Sequence, residues 1–282
     1  MFAYNPFIDL TSMIPLSAMQ VFVGLMILLV VGGTLYDVMH KRSAKYFFDN
    51  MKKSERGRTR RLSGSDKASL AAQTVMSEVL TSSEFCNPNR RLAHLLTMYG
   101  FIFYVGSTVA LVFWYSTRGS ATPAILPLLW HLGALMICIG GYWFWFFIRA
   151  DVAAEGQSPF RVVRADLFVL SLLASATMAL VWSYLQWSGH PLANLALALC
   201  LIATVVLFGS VPWSKFSHMF FKPAAAYQKR LIKADGSREN LPRTYDLSDP
   251  AVQRQFPDIP EYMGKNPPDM GLGIKREAPR HY

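Results

Sequence analysis

The sequence is poor in charge and in cysteine. Only 16% of its 282 residues are Asp, Glu, Lys or Arg, whereas 52% are hydrophobic. Soluble domains carry about a quarter charged residues, so this composition excludes an ordinary water-soluble protein. The three cysteines are far apart and form no Cys-x-x-Cys pair: Cys86, Cys138 and Cys200. A disulfide framework, a cysteine-bound zinc site and an iron–sulfur cluster in this chain are therefore not expected.

Charge is absent altogether from four long stretches, residues 10–36, 92–117, 119–148 and 167–214. A transmembrane helix needs about 20 apolar residues, and ionised side chains are costly in hydrocarbon. The fourth stretch is long enough for two spans, with Gly189 and Pro191 at the turn between them. The sequence thus predicts an all-α integral membrane bundle of five transmembrane helices. They lie near residues 16–36, 93–115, 125–148, 166–187 and 192–211.

The distribution of basic residues predicts the orientation of this bundle. Of the 28 Lys and Arg residues, 12 lie in residues 37–91, three in 149–166 and 12 in 214–282, whereas residues 1–15 contain none. Cytoplasmic loops are enriched in Lys and Arg, so we expect the N-terminus outside and the C-terminus inside a prokaryotic cytoplasmic (inner) membrane. The net charge of +10 then belongs to one face of a membrane protein, and nucleic acid is not an expected partner.

The chain divides into a membrane domain, residues 1–223, with a cytoplasmic loop at 40–91, and a Pro-rich tail, residues 224–282. Within the loop we expect a flexible basic stretch, Lys52 to Lys67, and then a short helix from about Asp66 to Ser82, capped by Ser65 or Asp66. The tail has too few apolar runs to form its own core. It is either a solvated, disordered tail or an arm that becomes ordered on a soluble partner.

Four histidines at the ends of the predicted helices are candidate haem ligands. His94 and His218 lie at the inner face, and His131 and His190 lie at the outer face. Low-spin haem b needs two axial imidazoles in an apolar pocket, so each pair is a candidate site. The alternative is an interfacial histidine bonded to water or headgroups or, for His190, a helix cap. Basic residues near the inner pair are available for the haem propionates: Arg90, Arg91, Lys215 and Lys222.

Two motifs carry a resemblance to a known family. Arg-x-x-His opens the second helix at residues 91–94, and Pro-Trp-Ser-Lys-x-x-His-x-x-x-x-Pro closes the fifth at 212–223. Over residues 14–223 the chain resembles the membrane cytochrome b subunits typified by the gamma subunit of respiratory nitrate reductase. Their relatives include the membrane subunits of heterodisulfide-reductase-like complexes and of the quinone-interacting complex, and the membrane anchor of dissimilatory adenylylsulfate reductase. The resemblance implies electron exchange between quinone and a cytoplasmic iron–sulfur or flavin partner, with His94 and His218 as haem ligands.

The chain also departs from the nitrate reductase pattern, which has a second histidine where this sequence has Tyr104. That pattern has another histidine in the outer half of helix five, and residues 192–211 contain none. Three alternatives follow: His131 and His190 bind a second haem, there is one haem, or there is none. Because the chain has no cluster-binding cysteines, the anchor of adenylylsulfate reductase is the family member that it resembles most.

A quinone site is expected beside a haem edge, where aromatic side chains meet one or two polar donors. At the inner face the candidates are Tyr99, Trp213, Lys215 and His218, and at the outer face Tyr115, Trp130 and His131. For each of them the alternative is the aromatic belt of a membrane protein. Several glycines are expected to permit close helix packing: Gly32, Gly33, Gly100, Gly106, Gly140 and Gly141.

The leading hypothesis is a membrane anchor and electron-transfer subunit that links a cytoplasmic oxidoreductase to the quinone pool, with no substrate chemistry of its own. The alternative is a haem-free anchor or assembly subunit that recruits the same soluble enzyme. A small transporter is disfavoured, because the predicted spans contain no interior charged residue to couple ions.

Overall fold

The computed structural model describes residues 2–83, 85, 87–117, 119–149, 160–214, 218–239, 241 and 245–258, with the backbone alone at 43, 165 and 218. All regular secondary structure in these residues is helical. The helices are α1 (Pro6–Leu10), α2 (Leu16–His40), α3 (Ser43–Gly57), α4 (Gly64–Thr74), α5 (Pro88–Trp114), α6 (Ile125–Trp143), α7 (Leu167–Trp187), α8 (Ala193–Gly209), α9 (His218–Ala234) and α10 (Pro250–Gln255). The π-helical turns Val75–Leu80 and Phe144–Ile148 extend α4 and α6.

Within the described part of the chain, four helices are long and apolar enough to cross a membrane: Leu16–His40, Pro88–Trp114, Ile125–Ile148 and Leu167–Trp187. The predicted all-helical class is thus confirmed for the described residues, and the length and composition of these four helices support a membrane protein. The fifth predicted span is shorter than expected, because α8 is apolar over only 17 residues, or about 25 Å. It ends at Gly209, where the chain turns through Ser210 into a 3-10 turn that contains Pro212.

Helices α5 and α6 pack against each other with glycine at the interface. A Cβ atom added to Gly133 would lie 2.5 Å from the backbone nitrogen of Tyr104, and one added to Gly100 would lie 2.8 Å from the carbonyl oxygen of Gly133. Nearer the other end of the pair, a Cβ on Gly140 would lie 2.7 Å from the carbonyl oxygen of Ala93. The two backbones are therefore in direct contact along an antiparallel pair, the close approach that small residues permit in membrane bundles.

Helix α7 lies between α6 and α8 and runs antiparallel to both. The Ser175 hydroxyl of α7 is 2.8 Å from the Thr204 hydroxyl of α8, and Gly141 of α6 faces Leu173 of α7. Helix α2 meets this group near its last turns, where a Cβ on Gly33 would lie 3.0 Å from the side chain of Val211. The chain segments with most of the basic residues therefore all leave the bundle at one end, which we call the basic end.

A layer of short helices covers the basic end; it consists of α3, α4, the turn Val75–Leu80 and α9, and we call it the basic layer. The carbonyl oxygen of Asp235, just after α9, accepts from the backbone N–H groups of Thr59 and Arg60, each at 3.0 Å. The buried Asp235 carboxylate also accepts a hydrogen bond from Ser54 at 3.0 Å. These bonds join the loop after α2 to the segment after α8, although about 180 residues separate them.

A second set of contacts joins α9 to α4 and its π-helical turn. Arg230 forms an ion pair with Glu78 at 3.0 Å and donates to the Ser77 hydroxyl at 2.6 Å. The side chains of Arg230 and Glu78 are both largely buried, so their ion pair fixes the position of α9 against the turn Val75–Leu80.

Three expectations for these segments differ in detail from the structure. Helix α4 is capped by Ser63, whose backbone N–H and side chain both bond to Asp66 in a capping box. These hydrogen bonds lower the pKa of the Asp66 carboxyl group, and the bond from the Ser63 backbone has the largest effect. The stretch expected to be flexible, Lys52–Lys67, includes the last turns of α3 and the first turn of α4. The expected boundary at residue 223 falls inside α9, which continues to Ala234.

Candidate functional site

His94 lies at the junction between the basic layer and the first turns of α5. Its Nδ1 atom is 3.0 Å from the hydroxyl of Ser82, a residue that is 1% exposed. Ser82 has a left-handed backbone (φ 47°), which turns the chain from the π-helical turn towards α5. A hydrogen bond to one ring nitrogen fixes the orientation of an imidazole, as is usual for histidines that bind metals through the other nitrogen.

Basic and aromatic side chains surround His94. The Phe85 ring centroid lies 4.8 Å from that of His94. The Arg90 guanidinium and the Lys222 ammonium lie 5.4 and 5.2 Å from the centre of the same Phe85 ring. Two of the residues predicted to bind propionates are thus brought together beside His94. Lys222 belongs to α9 and follows His218 by one helical turn, and the His218 side chain is outside the described residues.

His131 is buried at the opposite end of the bundle and both of its ring nitrogens have protein partners. Nδ1 is 2.7 Å from the carbonyl oxygen of Pro127, and Nε2 is 2.8 Å from the Ser183 hydroxyl. The residue is 0% exposed, and the Trp130 ring packs edge-on against it at 4.8 Å. An axial haem ligand needs one ring nitrogen directed at iron, so this arrangement does not fit a haem.

His190 is exposed in the turn between α7 and α8. Its Nδ1 atom accepts a hydrogen bond from the backbone N–H of Leu192 at 3.2 Å. The imidazole therefore satisfies a backbone donor at the start of α8, which is the capping role considered as the alternative for this residue. With His131 enclosed by Pro127 and Ser183, the two outer histidines have separate local partners.

A network of hydrogen-bonded polar side chains lies at the end of the bundle that contains His131. The Trp182 indole donates to Gln186 at 2.7 Å, and Gln186 donates to the carbonyl oxygen of Pro6 at 2.6 Å and to the Tyr4 hydroxyl at 3.0 Å. Tyr4 in turn donates to Asp9 at 2.6 Å. Burial and the bond to Asp9 raise the pKa of Tyr4, so its hydroxyl keeps its proton. The segment around α1 is thereby fastened across the end of α7.

Of the four residues predicted as an inner quinone site, the structure describes the side chains of Tyr99 and Trp213. The Tyr99 hydroxyl donates to the carbonyl oxygen of Leu80 at 2.8 Å, which fastens the π-helical turn to α5. Trp213 is 65% exposed in the 3-10 turn after α8, and Lys215 is outside the described residues. The assignment of these residues to quinone stays a prediction.

A large apolar pocket lies between α2 and the rest of the helix bundle, where no motif predicted one. It has a volume of about 500 Å³ and separates α2 from α5, α7 and α8. Each helix contributes residues at helical spacing, for example Phe101, Tyr104, Val105, Thr108, Val109 and Val112 of α5. The histidines 94, 131 and 190 do not line it, and neither do Tyr99 and Trp213. Its wall is almost wholly apolar.

A small polar cluster interrupts this apolar wall at mid-height. The Ser175 and Thr204 hydroxyls are 2.8 Å apart, and Thr204 also donates to the carbonyl oxygen of Cys200 at 2.8 Å. The Cys200 thiol lies 3.6 Å from the carbonyl oxygen of Ser175, and Tyr104 lines the same part of the pocket. Tyr104 stands where the nitrate reductase type has a histidine, so the cluster offers hydroxyl and thiol groups and no imidazole.

The residues in the described ranges include no cluster of three or more His, Cys, Asp or Glu side chains that could hold a metal ion. Comparison of the chain with protein-family models, with curated proteins and with solved structures finds no match.

Proposed function

We propose that this chain is the membrane anchor and electron-transfer subunit of a quinone-linked oxidoreductase similar to adenylylsulfate reductase. The observation that carries the proposal is that His94, its basic neighbours and the basic layer all lie at one end of an apolar helix bundle. In this proposal α8 is the fifth span, and the basic end faces the cytoplasm of a prokaryotic cell. The partner supplies the iron–sulfur and flavin groups, since this chain has too few cysteines to hold a cluster.

The proposed haem site is built on His94 and His218 at the basic end. Ser82 holds the His94 ring in one orientation, and Arg90 and Lys222 lie where they can neutralise propionates. When bound there, haem b would supply a one-electron relay between quinol and the soluble partner. The residues of the chain bind and orient it and exclude water. We propose no second haem, because both ring nitrogens of His131 already have protein partners.

The basic layer has the composition of a docking surface for an acidic soluble protein. Helix α9 has no acidic residue and exposes three lysines, Lys222, Lys229 and Lys233, whereas its Arg230 is paired with Glu78. Exposed Lys52 and Lys53 add charge from α3, and Val75 and Met76 expose 48% and 59% of their surface on the π-helical turn. Complementary charge steers association and apolar residues add affinity, so the layer fits a partner with an acidic face.

Charge reversal in the basic layer tests the anchoring role. An affinity-tagged chain purified from its own membranes is expected to bring flavin and acid-labile sulfide with it. The double variant Lys52→Glu/Lys53→Glu should reduce both by about tenfold at low salt, because attraction becomes repulsion. The control is Arg164→Glu, an exposed basic residue that precedes α7 and lies outside the layer. Equal recovery from the double variant, or no flavin and sulfide with the wild type, would refute the docking surface.

The second candidate is a haem-free anchor that recruits the same enzyme. The bonding of the outer histidines favours it: the Ser183 hydroxyl occupies a ring nitrogen of His131, and the backbone N–H of Leu192 occupies one of His190. The two candidates share the basic layer and differ in the optical spectrum of the purified protein, which shows b-type absorbance only in the first.

A further inference from the structure

Helix α6 and its π-helical turn have a stripe of exposed apolar side chains along their length. These side chains recur at alternating intervals of four and three residues, which places them on one face of the helix. The stripe consists of Leu128, Leu132, Leu135, Ile139, Tyr142 and Phe146, whose exposed fractions are between 39% and 51%. Because the helix is long and apolar enough to span a membrane, the face that bears this stripe contacts lipid there.

Residues 160–164, which precede α7, extend this stripe beyond the end of α6. The Phe146 ring stacks on that of Tyr142 with 6.3 Å between centroids, and the Phe160 ring packs edge-on against Phe146 at 6.4 Å. The three aromatic rings thus form a row from the spanning part of the helix to the segment before α7. Phe160 and Val162 are 75% and 60% exposed, so the apolar surface does not end where the helix ends.

Arg149 holds the backbone of this segment against the end of α6. Its guanidinium donates to the carbonyl oxygen of Arg161 at 2.7 Å, forms an ion pair with Asp166 and lies 3.9 Å from the centre of the Trp145 ring. The Asp166 carboxylate also accepts a hydrogen bond from the backbone N–H of Val163 at 2.9 Å. Both charged side chains of the ion pair are largely buried. The backbone of the segment is therefore fixed by buried polar contacts, while its apolar side chains are exposed.

The position and the composition of the segment match the headgroup region of a bilayer. The segment lies at the basic end, where α6 ends and α7 begins, which is the level at which these two helices leave the membrane. Exposed Phe160, Val162 and Val163 are interleaved with exposed Arg161 and Arg164. Apolar side chains insert at the boundary between headgroups and acyl chains, and arginine binds phosphate. A soluble protein cannot cover this surface without displacing lipid from the same side of α6.

We propose that residues 160–164 are an interfacial anchor that binds phospholipid. Phe160 and Val162 insert between the headgroups and the acyl chains, and the guanidinium groups of Arg161 and Arg164 bind lipid phosphate groups. The clamp formed by the Arg149 side chain keeps this surface at a fixed depth in the membrane. The anchor lies outside the basic layer, and its binding of phospholipid requires neither haem nor a soluble partner.

Photo-crosslinking in native membranes tests the proposal. The full chain carries the photoreactive residue p-benzoylphenylalanine in place of Phe160, the membranes are irradiated, and the intact mass of the purified chain is measured. The chain should gain the mass of one phospholipid. The matched control has the same replacement at Met76, an apolar residue of the basic layer that is 59% exposed, and should give at least about tenfold less of this adduct. Replacement of Ile139 in the stripe is the positive control, since that side chain faces lipid.

Each outcome supports or overturns the proposal. A phospholipid adduct at Ile139 and none at Phe160, or an adduct with a protein at Phe160, overturns the anchor.

Charge reversal tests the contacts with phosphate. Added to the Phe160 photoreactive chain, Arg161→Glu/Arg164→Glu should lower the phospholipid adduct by about threefold or more, because carboxylates repel phosphate, whereas Arg161→Lys/Arg164→Lys should retain it. An unchanged adduct in the glutamate variant overturns these contacts. Gel filtration and the melting temperature report folding, and Arg161→Gln/Arg164→Gln replaces a glutamate variant that does not fold. Recovery of flavin and acid-labile sulfide should not change in any of these variants, which distinguishes failure of the anchor from failure of the proposed function.

Discussion

Replacement of Gly133 by Ala is expected to destabilise the protein by about 3 kcal/mol and to lower its yield sharply. The new Cβ atom would lie 2.5 Å from the backbone nitrogen of Tyr104 and 2.7 Å from the carbonyl oxygen of Gly100. Both neighbours are backbone atoms of α5, so neither can rotate away. Relief of the overlap requires α5 and α6 to separate, which breaks their contact over several turns.

The matched control for this prediction is Gly106→Ala on α5. A Cβ atom there meets nothing within 4 Å, and glycine in a helix is less stable than alanine by about 0.5 to 1 kcal/mol. The control should therefore leave the melting temperature unchanged or raise it. Thermal unfolding of the detergent-purified variants, monitored by tryptophan fluorescence and gel filtration, provides the measurement. Similar melting temperatures for the two variants would show that α5 and α6 are not in backbone contact at Gly133.

Replacement of His94 by Ala is expected to abolish b-type absorbance, because one of the two proposed axial ligands is lost. His190→Ala is the control, since that ring is exposed and bonds to the backbone of Leu192. Ser82→Ala should retain haem in a less constrained orientation, with a shifted reduction potential, because it removes the bond to Nδ1.

Rescue distinguishes ligation by His94 from a purely structural role. Imidazole added to purified His94→Ala should restore part of the absorbance if the substitution leaves an open axial position in a folded protein. Unaltered absorbance in His94→Ala, with an unchanged melting temperature, would remove this residue from the haem site.

The positions of the spans could be predicted closely from charge alone. The helix Ile125–Ile148, with its π-helical turn, has the predicted ends. Helix α5 begins earlier than predicted, because Asn87 caps it and Pro88 suits the first turn. Helix α2 continues to His40, past Asp37, because that buried carboxylate pairs with Lys41 at 2.5 Å. The charge-free run therefore ends several residues before the helix does.

Glycine positions were predicted in part. Gly33, Gly100, Gly140 and Gly141 lie at close helix contacts, whereas a Cβ atom on Gly32 or Gly106 meets nothing within 4 Å. Gly133, which makes the closest backbone approach of the α5–α6 interface, was absent from the expected set. The reason is that small residues occur on every face of these apolar helices, so composition does not indicate which face meets a neighbour.

The surroundings of the candidate site could not be predicted, because they depend on contacts between distant residues. Ser183 bonds to His131 across 52 positions, and Lys222 of α9 reaches the Phe85 ring beside His94. The apolar pocket beside α2 could not be predicted either, since α2 is apolar on all sides and no periodicity marks the face that borders the pocket. The sequence indicates candidate ligands by their residue type. Only the packing shows which imidazole nitrogens already have partners.

In the proposed function, this chain passes electrons between membrane quinone and a partner at the basic end through a haem held by His94. The most direct measurement is the optical spectrum of the purified wild type under anaerobic conditions, recorded before and after addition of a short-chain quinol. We predict that a b-type absorbance band appears on quinol addition and is missing in His94→Ala. A wild-type protein that is correctly folded, retains its soluble partner and shows no b-type band before or after quinol would contradict the proposed function.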